Sequence, residues 1–358
     1  MKPTNLSVGR RGGQTGKGKR GKLTALAFAL AFLLGSLNSA LPALREQAVA
    51  PASLWTPALP WASAGSYSLQ DGKPRWLAPT ASTFTSSVAA TGATLAIRPV
   101  AEHGAALPST TDRELQAELE EYLASRDGTY GVALRNLETG ETVLINADET
   151  FRSASTYKLL VMYEVYRQVA AGELAMDDTI TIRPADAVEG DPANGLAVGD
   201  TVTVAEALRA MITVSSNSAA YALVRNLGGW HTLARAAGDL GMANTGFDAE
   251  YFLTTPADML TFLVALGRGG LVSEAASNGM LNLLRRQTVN DRIPALLPSW
   301  VTVAHKTGEL PGVRNDVGIV EVPEGRFALA VFSLYADEDE ATRVIAGVAR
   351  RAFDRYAR

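Results

Sequence analysis

The chain has 358 residues, 47% of them hydrophobic and 20% charged, a balance that supports a large buried core and excludes whole-chain disorder. Its 0 Cys exclude a disulfide framework, a cysteine nucleophile and a thiolate zinc site, and 3 His leave no multi-histidine metal centre. The net charge of -4 is uneven: seven basic residues and no acid fall in 1–22, leaving 26 basic against 37 acidic residues elsewhere, which argues against a nucleic-acid surface.

The basic start precedes an apolar run from Leu23 to Leu37. A positive flank and an apolar core of that length predict an export signal over 1–50, with Ala48-Val49-Ala50 as a small-x-small cleavage site. An uncleaved anchor is the alternative, since diluted apolar character continues to Leu44. Gly16-x-Gly18-x-x-Gly21 matches a dinucleotide fingerprint by letter only, because no strand precedes it. From 51 to 110 the chain reads as a disordered linker, with 35 of 60 residues Ala, Ser, Thr or Pro. Trp55, Trp61 and Trp76 are unusual there.

A folded domain is expected over 111–358. Asp112 to Ser125 has a helical apolar face. Tyr130–Asn136 and Glu141–Ile145 alternate around Glu138-Thr139-Gly140 and predict a hairpin. Leu159, Met162, Tyr163, Tyr166 and Val169 mark a helix face, and Val204–Met211, Ala219–Leu227 and Pro256–Leu266 are further helices. Strands return at Val301–His305, Asp316–Val322 and Phe327–Tyr335. A last helix begins in acid at Asp337–Glu340 and ends in arginines, an order that suits the helix dipole. Strands at both ends with helices between them predict an α/β chain of the α+β type. One antiparallel sheet, flanked by the terminal helices, lies beside an all-helical lobe, and the cleft between the two is the natural site.

Residues 111–358 contain 20 Arg but only two Lys, Lys158 and Lys306. An amine can be neutralised by burial and act as a base, whereas a guanidinium stays charged. Ser155 stands three residues before Lys158, on the same helical face, where a base could activate its hydroxyl. Lys306-Thr307-Gly308 ends a predicted strand, and the glycine would admit a substrate to the strand edge. Between them Ser215-Ser216-Asn217 occupies a break between two helices, where helix capping is the plain alternative to chemistry.

In order, separation and context the three segments resemble the Ser-x-x-Lys, Ser-Asp-Asn and Lys-Thr-Gly set of class A β-lactamases and penicillin-binding proteins. The resemblance covers essentially all of 111–358 and implies the two-lobed β-lactamase-like fold. It implies Ser155 as the acylated nucleophile, Lys158 as its proton acceptor and Ser215 as proton donor to the leaving nitrogen. Asn217 would bind a substrate amide, Lys306 and Thr307 a carboxylate, and the N–H groups of Ser155 and Glu309 an oxyanion. Arg314, a few residues after the Lys-Thr-Gly strand, would make an ordinary surface ion pair or add attraction for that carboxylate. No cofactor or metal is required. The implied substrate is a β-lactam or a peptidoglycan stem peptide, and a monomeric exported enzyme is expected, secreted, periplasmic or bound to the cell wall, or held at the membrane by its N-terminus.

Two departures bear on mechanism. Ser216 stands where the lactamases usually carry Asp; the looser Ser-x-Asn is typical of penicillin-binding proteins. The long loop whose Glu activates the deacylating water is shortened, and its nearest match is Glu250 in Glu250-Tyr251-Phe252-Leu253-Thr254. These departures imply a slowly hydrolysed acyl-enzyme. A D-alanyl-D-alanine peptidase or esterase, and a non-hydrolytic penicillin-binding sensor, are the alternatives. A Ser-His-Asp hydrolase is disfavoured, because His305 and Lys306 are adjacent in a strand and point to opposite faces.

Overall fold

The structure is a computed structural model that describes residues 66–70, 73–77, 109–188, 191, 195–248 and 250–357. The expected signal over 1–50 lies outside these residues. So does most of the expected linker, within which β1 (Ser66–Gln70) and β2 (Lys73–Leu77) pair as an antiparallel hairpin.

The domain opens with β3 (Thr110–Thr111) and α1 (Arg113–Ala124), capped by the Asp112 carboxylate, which accepts from Leu115 N at 3.2 Å. β4 (Thr129–Asn136) and β5 (Glu141–Ile145) form the expected hairpin. Its turn is held by Asn136 Oδ1, which accepts from Glu138 N and Thr139 N. β11 (Thr302–Leu310), β12 (Val313–Val322) and β13 (Gly325–Leu334) complete a six-stranded sheet in the order β11-β12-β13-β4-β5-β3, antiparallel except at β3. The final strands thus join the first ones edge to edge, as two sets of half-buried strands from opposite ends of a domain must.

The sheet is buried on both faces. On β13, Phe327, Leu329 and Val331 face a core shared with α1 and the last helix, α8 (Glu338–Tyr356). Ala328, Ala330 and Phe332 face the helical lobe. The two ends of the domain are clasped where Arg355 Nε donates to Asp112 at 2.7 Å.

The lobe comprises α2 (Lys158–Ala170), α3 (Val204–Thr213), α4 (Asn217–Asn226), α5 (Trp230–Asp239), α6 (Pro256–Gly267) and α7 (Glu274–Leu284). Every residue of α2 from Lys158 to Val165 is buried, so this helix is the lobe's axis rather than a surface helix. Two short sheets complete the lobe's edges. β7 (Thr179–Thr181) pairs β8 (Thr201–Thr203), and β6 (Phe151–Arg152), β10 (Phe252–Thr254) and β9 (Gly246–Phe247) form a three-stranded sheet. Among the described residues no helix is long and apolar enough to cross a membrane.

Where lobe meets sheet, side chains are deleted to let the two approach. A Cβ at Gly131 would stand 2.5 Å from the Phe151 ring and 2.7 Å from Pro256, the first residue of α6. Gly131→Ala should therefore lower stability by about 1–3 kcal/mol, read as a lower urea midpoint with an unchanged slope.

Candidate active site

Ser155 lies in a single 3-10 turn, Ala154–Tyr157, between β6 and α2. Ala154 takes a positive φ of 46°, a costly conformation for a residue with a side chain, held by the packing around it. Four contacts over-determine that turn. Ser153 N donates to Phe252 O at 2.8 Å, and Thr156 Oγ1 donates to Ser153 O at 2.7 Å. Asn315 Nδ2 on β12 donates to Arg152 O at 2.9 Å and to Ser153 O at 3.2 Å. Gly308 on β11 presents no side chain, and a Cβ there would meet Ser153 O at 2.9 Å and Ala154 Cβ at 3.1 Å. This glycine thus admits the serine's own turn to the strand. The expected approach there was that of a substrate.

Lys306, Thr307 and Gly308 are also not at the end of a strand. β11 runs on to Leu310, so the three sit inside it, on the outermost strand of the sheet. A glycine-containing segment looks like a strand end from sequence, yet the pairing with β12 continues through Glu309↔Arg314. The strand turns alternate residues to opposite sides. His305 is buried away from the site with Nδ1 2.9 Å from Asp316 Oδ1 and Nε2 3.0 Å from Asn290 Oδ1.

Lys158 and Lys306 are both buried and meet at Ser215. Lys158 Nζ donates to Ser215 O at 2.7 Å, to Ser215 Oγ at 3.1 Å and to Asn217 Oδ1 at 2.7 Å. Lys306 Nζ donates to Ser215 Oγ at 3.1 Å and to Thr307 O at 2.8 Å. Ser215 holds a φ of 60°, the second strained non-glycine of the site. Burial, and next the Lys306 charge, push the Lys158 amine well below its ordinary pKa. Burial brings Lys306 down to about 7, with Asp316 and Glu309 opposing and Arg292 assisting.

The geometry then constrains the protons. A neutral lysine has two N–H groups and one lone pair. Ser215 O and Asn217 Oδ1 can only accept, so the Ser215 hydroxyl is the partner able to donate to a neutral Lys158. Loss of a proton from Lys158 would therefore reverse its bond to Ser215 Oγ, while Lys306 still donates to that oxygen.

Thr307 is buried beside Lys306, whereas the Glu309 side chain is half exposed and bonds to the guanidinium of Arg292. Arg292 is fully buried, and no feature of Asn290-Asp291-Arg292 distinguishes it in the sequence. Arg314 pairs with Glu338, as expected. Two further residues had no sequence signal: Asn315, and Asp191, whose carboxylate accepts from Ser216 Oγ, Asn217 N and Ser218 N.

Glu250 stands in the β9–β10 turn, exposed. Its N–H and that of Tyr251 both donate to Asp248 Oδ1, and its carboxylate raises the pKa of the Tyr251 phenol. Instead of a long loop, this short hairpin is pinned by rings. Tyr157, next to the nucleophile's turn, lies 5.5 Å from Trp230 and 5.8 Å from Phe252 between centroids, and Phe247 lies 4.5 Å from Phe252.

A family model described as the β-lactamase enzyme family matches residues 114–356. β-lactamase CTX-M-25 of Escherichia coli is 30% identical over 264 residues, 68% of this chain and 89% of that protein. β-lactamase AST-1 of Nocardia asteroides is 32% identical over 254 residues, 64% of this chain and 81% of its own. Among solved structures, a mutant of PBP-A in an acyl-enzyme complex with penicillin G gives a TM-score of 0.66 at 26% identity, over 70% of this chain and 98% of that one. A β-lactamase from Sphaerobacter thermophilus gives 0.63 at 30% identity, over 68% and 96%.

The lowered lysines couple stability to pH. The unfolded chain binds a proton at Lys306 between about 7 and the ordinary 10.5 that the folded chain does not, so stability rises with pH in that window. Between pH 7 and 9 this one group should add about 2 kcal/mol. Urea denaturation should show a steeper rise in the natural chain than in Lys306→Met, where the Lys158 contribution alone remains.

Proposed function

This chain belongs to the β-lactamase enzyme family, and we propose that it is an exported serine hydrolase that opens β-lactam amides by acylation at Ser155 and releases the product slowly. The observation that carries the reading is the convergence of Lys158, three residues after Ser155, and Lys306 on the Ser215 hydroxyl. The Ser155 proton passes to neutral Lys158 as Oγ bonds to the carbonyl carbon. The N–H groups of Ser155 and Glu309 take the oxyanion. As the C–N bond breaks, the Ser215 hydroxyl delivers its proton to the leaving nitrogen and regains one from the lysines flanking it. Lys306 and Thr307 hold the substrate carboxylate, and Asn217 Nδ2 binds its side-chain amide.

Slow release rests on Glu250. A base for the hydrolytic water must lie within hydrogen-bond reach of it. This carboxylate is exposed, at the tip of the short β9–β10 hairpin. The same observation, with Ser216 in the triplet and the likeness to PBP-A, favours a second reading: a D-alanyl-D-alanine peptidase or esterase that treats β-lactams as inhibitors. Export rests on the basic and apolar N-terminal sequence.

Intact-mass spectrometry of the full chain with benzylpenicillin tests acylation. A drug-sized adduct should form, persist and vanish in Ser155→Ala, while Glu250→Gln leaves its lifetime unchanged. Fast turnover that Glu250→Gln abolishes would overturn slow release, and no adduct and no drug loss would overturn the reading itself. The acylation rate should also follow a bell in pH, rising as Lys158 deprotonates and falling above about 7 as Lys306 does.

A further inference from the structure

Ser216 occupies the position where the lactamases usually carry an aspartate, and the structure brings a carboxylate to it from elsewhere. Asp191 precedes β8, 25 residues before Ser216 in sequence. Its Oδ1 accepts from Asn217 N, and its Oδ2 accepts from Ser218 N at 3.1 Å and from Ser216 Oγ at 3.2 Å. Asn217 and Ser218 open α4, so these N–H groups have no partner within the helix. Ser216 also caps that helix itself, its Oγ accepting from Ala219 N at 3.2 Å. One carboxylate therefore binds the hydroxyl of the residue next to Ser215 and the N–H groups of the two residues beyond it.

We propose that Asp191 is a positioning residue of the acylation machinery, holding the Ser215-Ser216-Asn217 turn in the geometry that presents the Ser215 hydroxyl and the Asn217 amide to Lys158. The proposal rests on the acyl-transfer roles of Ser155, Lys158 and Ser215. Its physical basis is the strain at Ser215. A side-chain-bearing residue at φ 60° persists only where its surroundings over-determine it. Preceding residues do part of this, since Ser216 N donates to Ala210 O at 3.1 Å. Residues on the other side are fixed by Asp191. If the carboxylate is lost, two N–H groups at the start of α4 lose their acceptor and the turn is free to relax. Ser215 Oγ and Asn217 Oδ1 both bond to Lys158, so a shift of the turn disturbs both at once.

Asp191 also contributes charge. The charged groups facing Lys158 are Lys306 from β11, which disfavours its protonation, and Asp191, which favours it. Among the described residues, neutral Ser215 and Asn217 bond to Nζ, and the Tyr157 ring centroid lies 6.0 Å from it. Replacing the carboxylate by an amide of the same shape removes that attraction, and the limb of the acylation profile that requires neutral Lys158 moves to lower pH.

The test measures benzylpenicillin acylation of the full chain by stopped flow or quenched intact mass, as a function of drug concentration and pH. Asp191→Ala should slow the limiting acylation rate by about ten- to a hundredfold, the scale of a small misplacement of reacting groups, with little change in the concentration for half-saturation. Asp191→Asn should move the acid limb to lower pH. Asp191→Ala with Ser216→Asp, which returns a carboxylate to the turn from its own residue, should recover most of the rate. A melting curve accompanies each variant; if Asp191→Ala fails to fold, Asp191→Asn and the double variant decide. Acylation within about twofold of the natural rate in Asp191→Ala, an unmoved acid limb in Asp191→Asn, or no recovery from Ser216→Asp would each overturn the proposal. Absence of any adduct in the natural chain would instead sink the acylation reading on which it stands.

Discussion

Two amines share one hydroxyl. Lys158 and Lys306 each reach Ser215 Oγ at 3.1 Å, and both are buried. Burial and the nearby Lys306 charge push the Lys158 amine well below its ordinary pKa, the direction that a lysine acting as a base requires. Sequence adjacency cannot produce this. The lysines come from the axis of the helical lobe and the outermost strand of the sheet, and the lobe-to-sheet packing decides their separation. Close approach at Gly131, and at Gly308 against the Ser155 turn, is therefore part of the chemistry as much as of the stability.

The turn that bears Ser155 is built from parts remote in sequence. β10 takes the Ser153 N–H, Asn315 on β12 takes the Arg152 and Ser153 carbonyls, and Gly308 leaves room for Ala154. A positive φ at Ala154 is tolerated because so many contacts hold it. The same logic governs Ser215, held on one side by Ala210 and on the other by a helix start bound to Asp191. Bonding from distant segments thus offsets the strain at Ala154, next to the nucleophile, and at Ser215.

The short β9–β10 hairpin packs against the nucleophile's turn through aromatic rings. Phe247, Phe252, Trp230 and Tyr157 stack into one aromatic cluster behind the nucleophile's turn. They close that side with apolar surface, and the carboxylate of the hairpin tip, Glu250, is turned to solvent and to Tyr251. The groups proposed for acylation and the hairpin that carries Glu250 thus lie on separate elements of the lobe and the sheet.

Much of this was legible in the order of residues alone. Periodicity located the terminal helices, the β4–β5 hairpin and the last strands, because alternation and helical spacing are local properties of a half-buried element. The scarcity of lysine among 20 arginines singled out Lys158 and Lys306, since only an amine can be tuned by burial. The order of Ser155, Lys158, Ser215, Asn217 and Lys306 then pointed to acyl transfer. Other features had no local signature. The extent of β11 beyond Gly308 depended on its partner strand, and the role of that glycine depended on which turn packs against it. Asp191, Arg292 and Asn315 look like ordinary polar residues until folding carries them to Ser216, Glu309 and Ser153. Sequence determined which chemistry was available, because a residue's type sets its protons and its pKa range; tertiary structure decided which groups meet, because the distances and burial that tune them arise only when segments far apart in the chain are packed together.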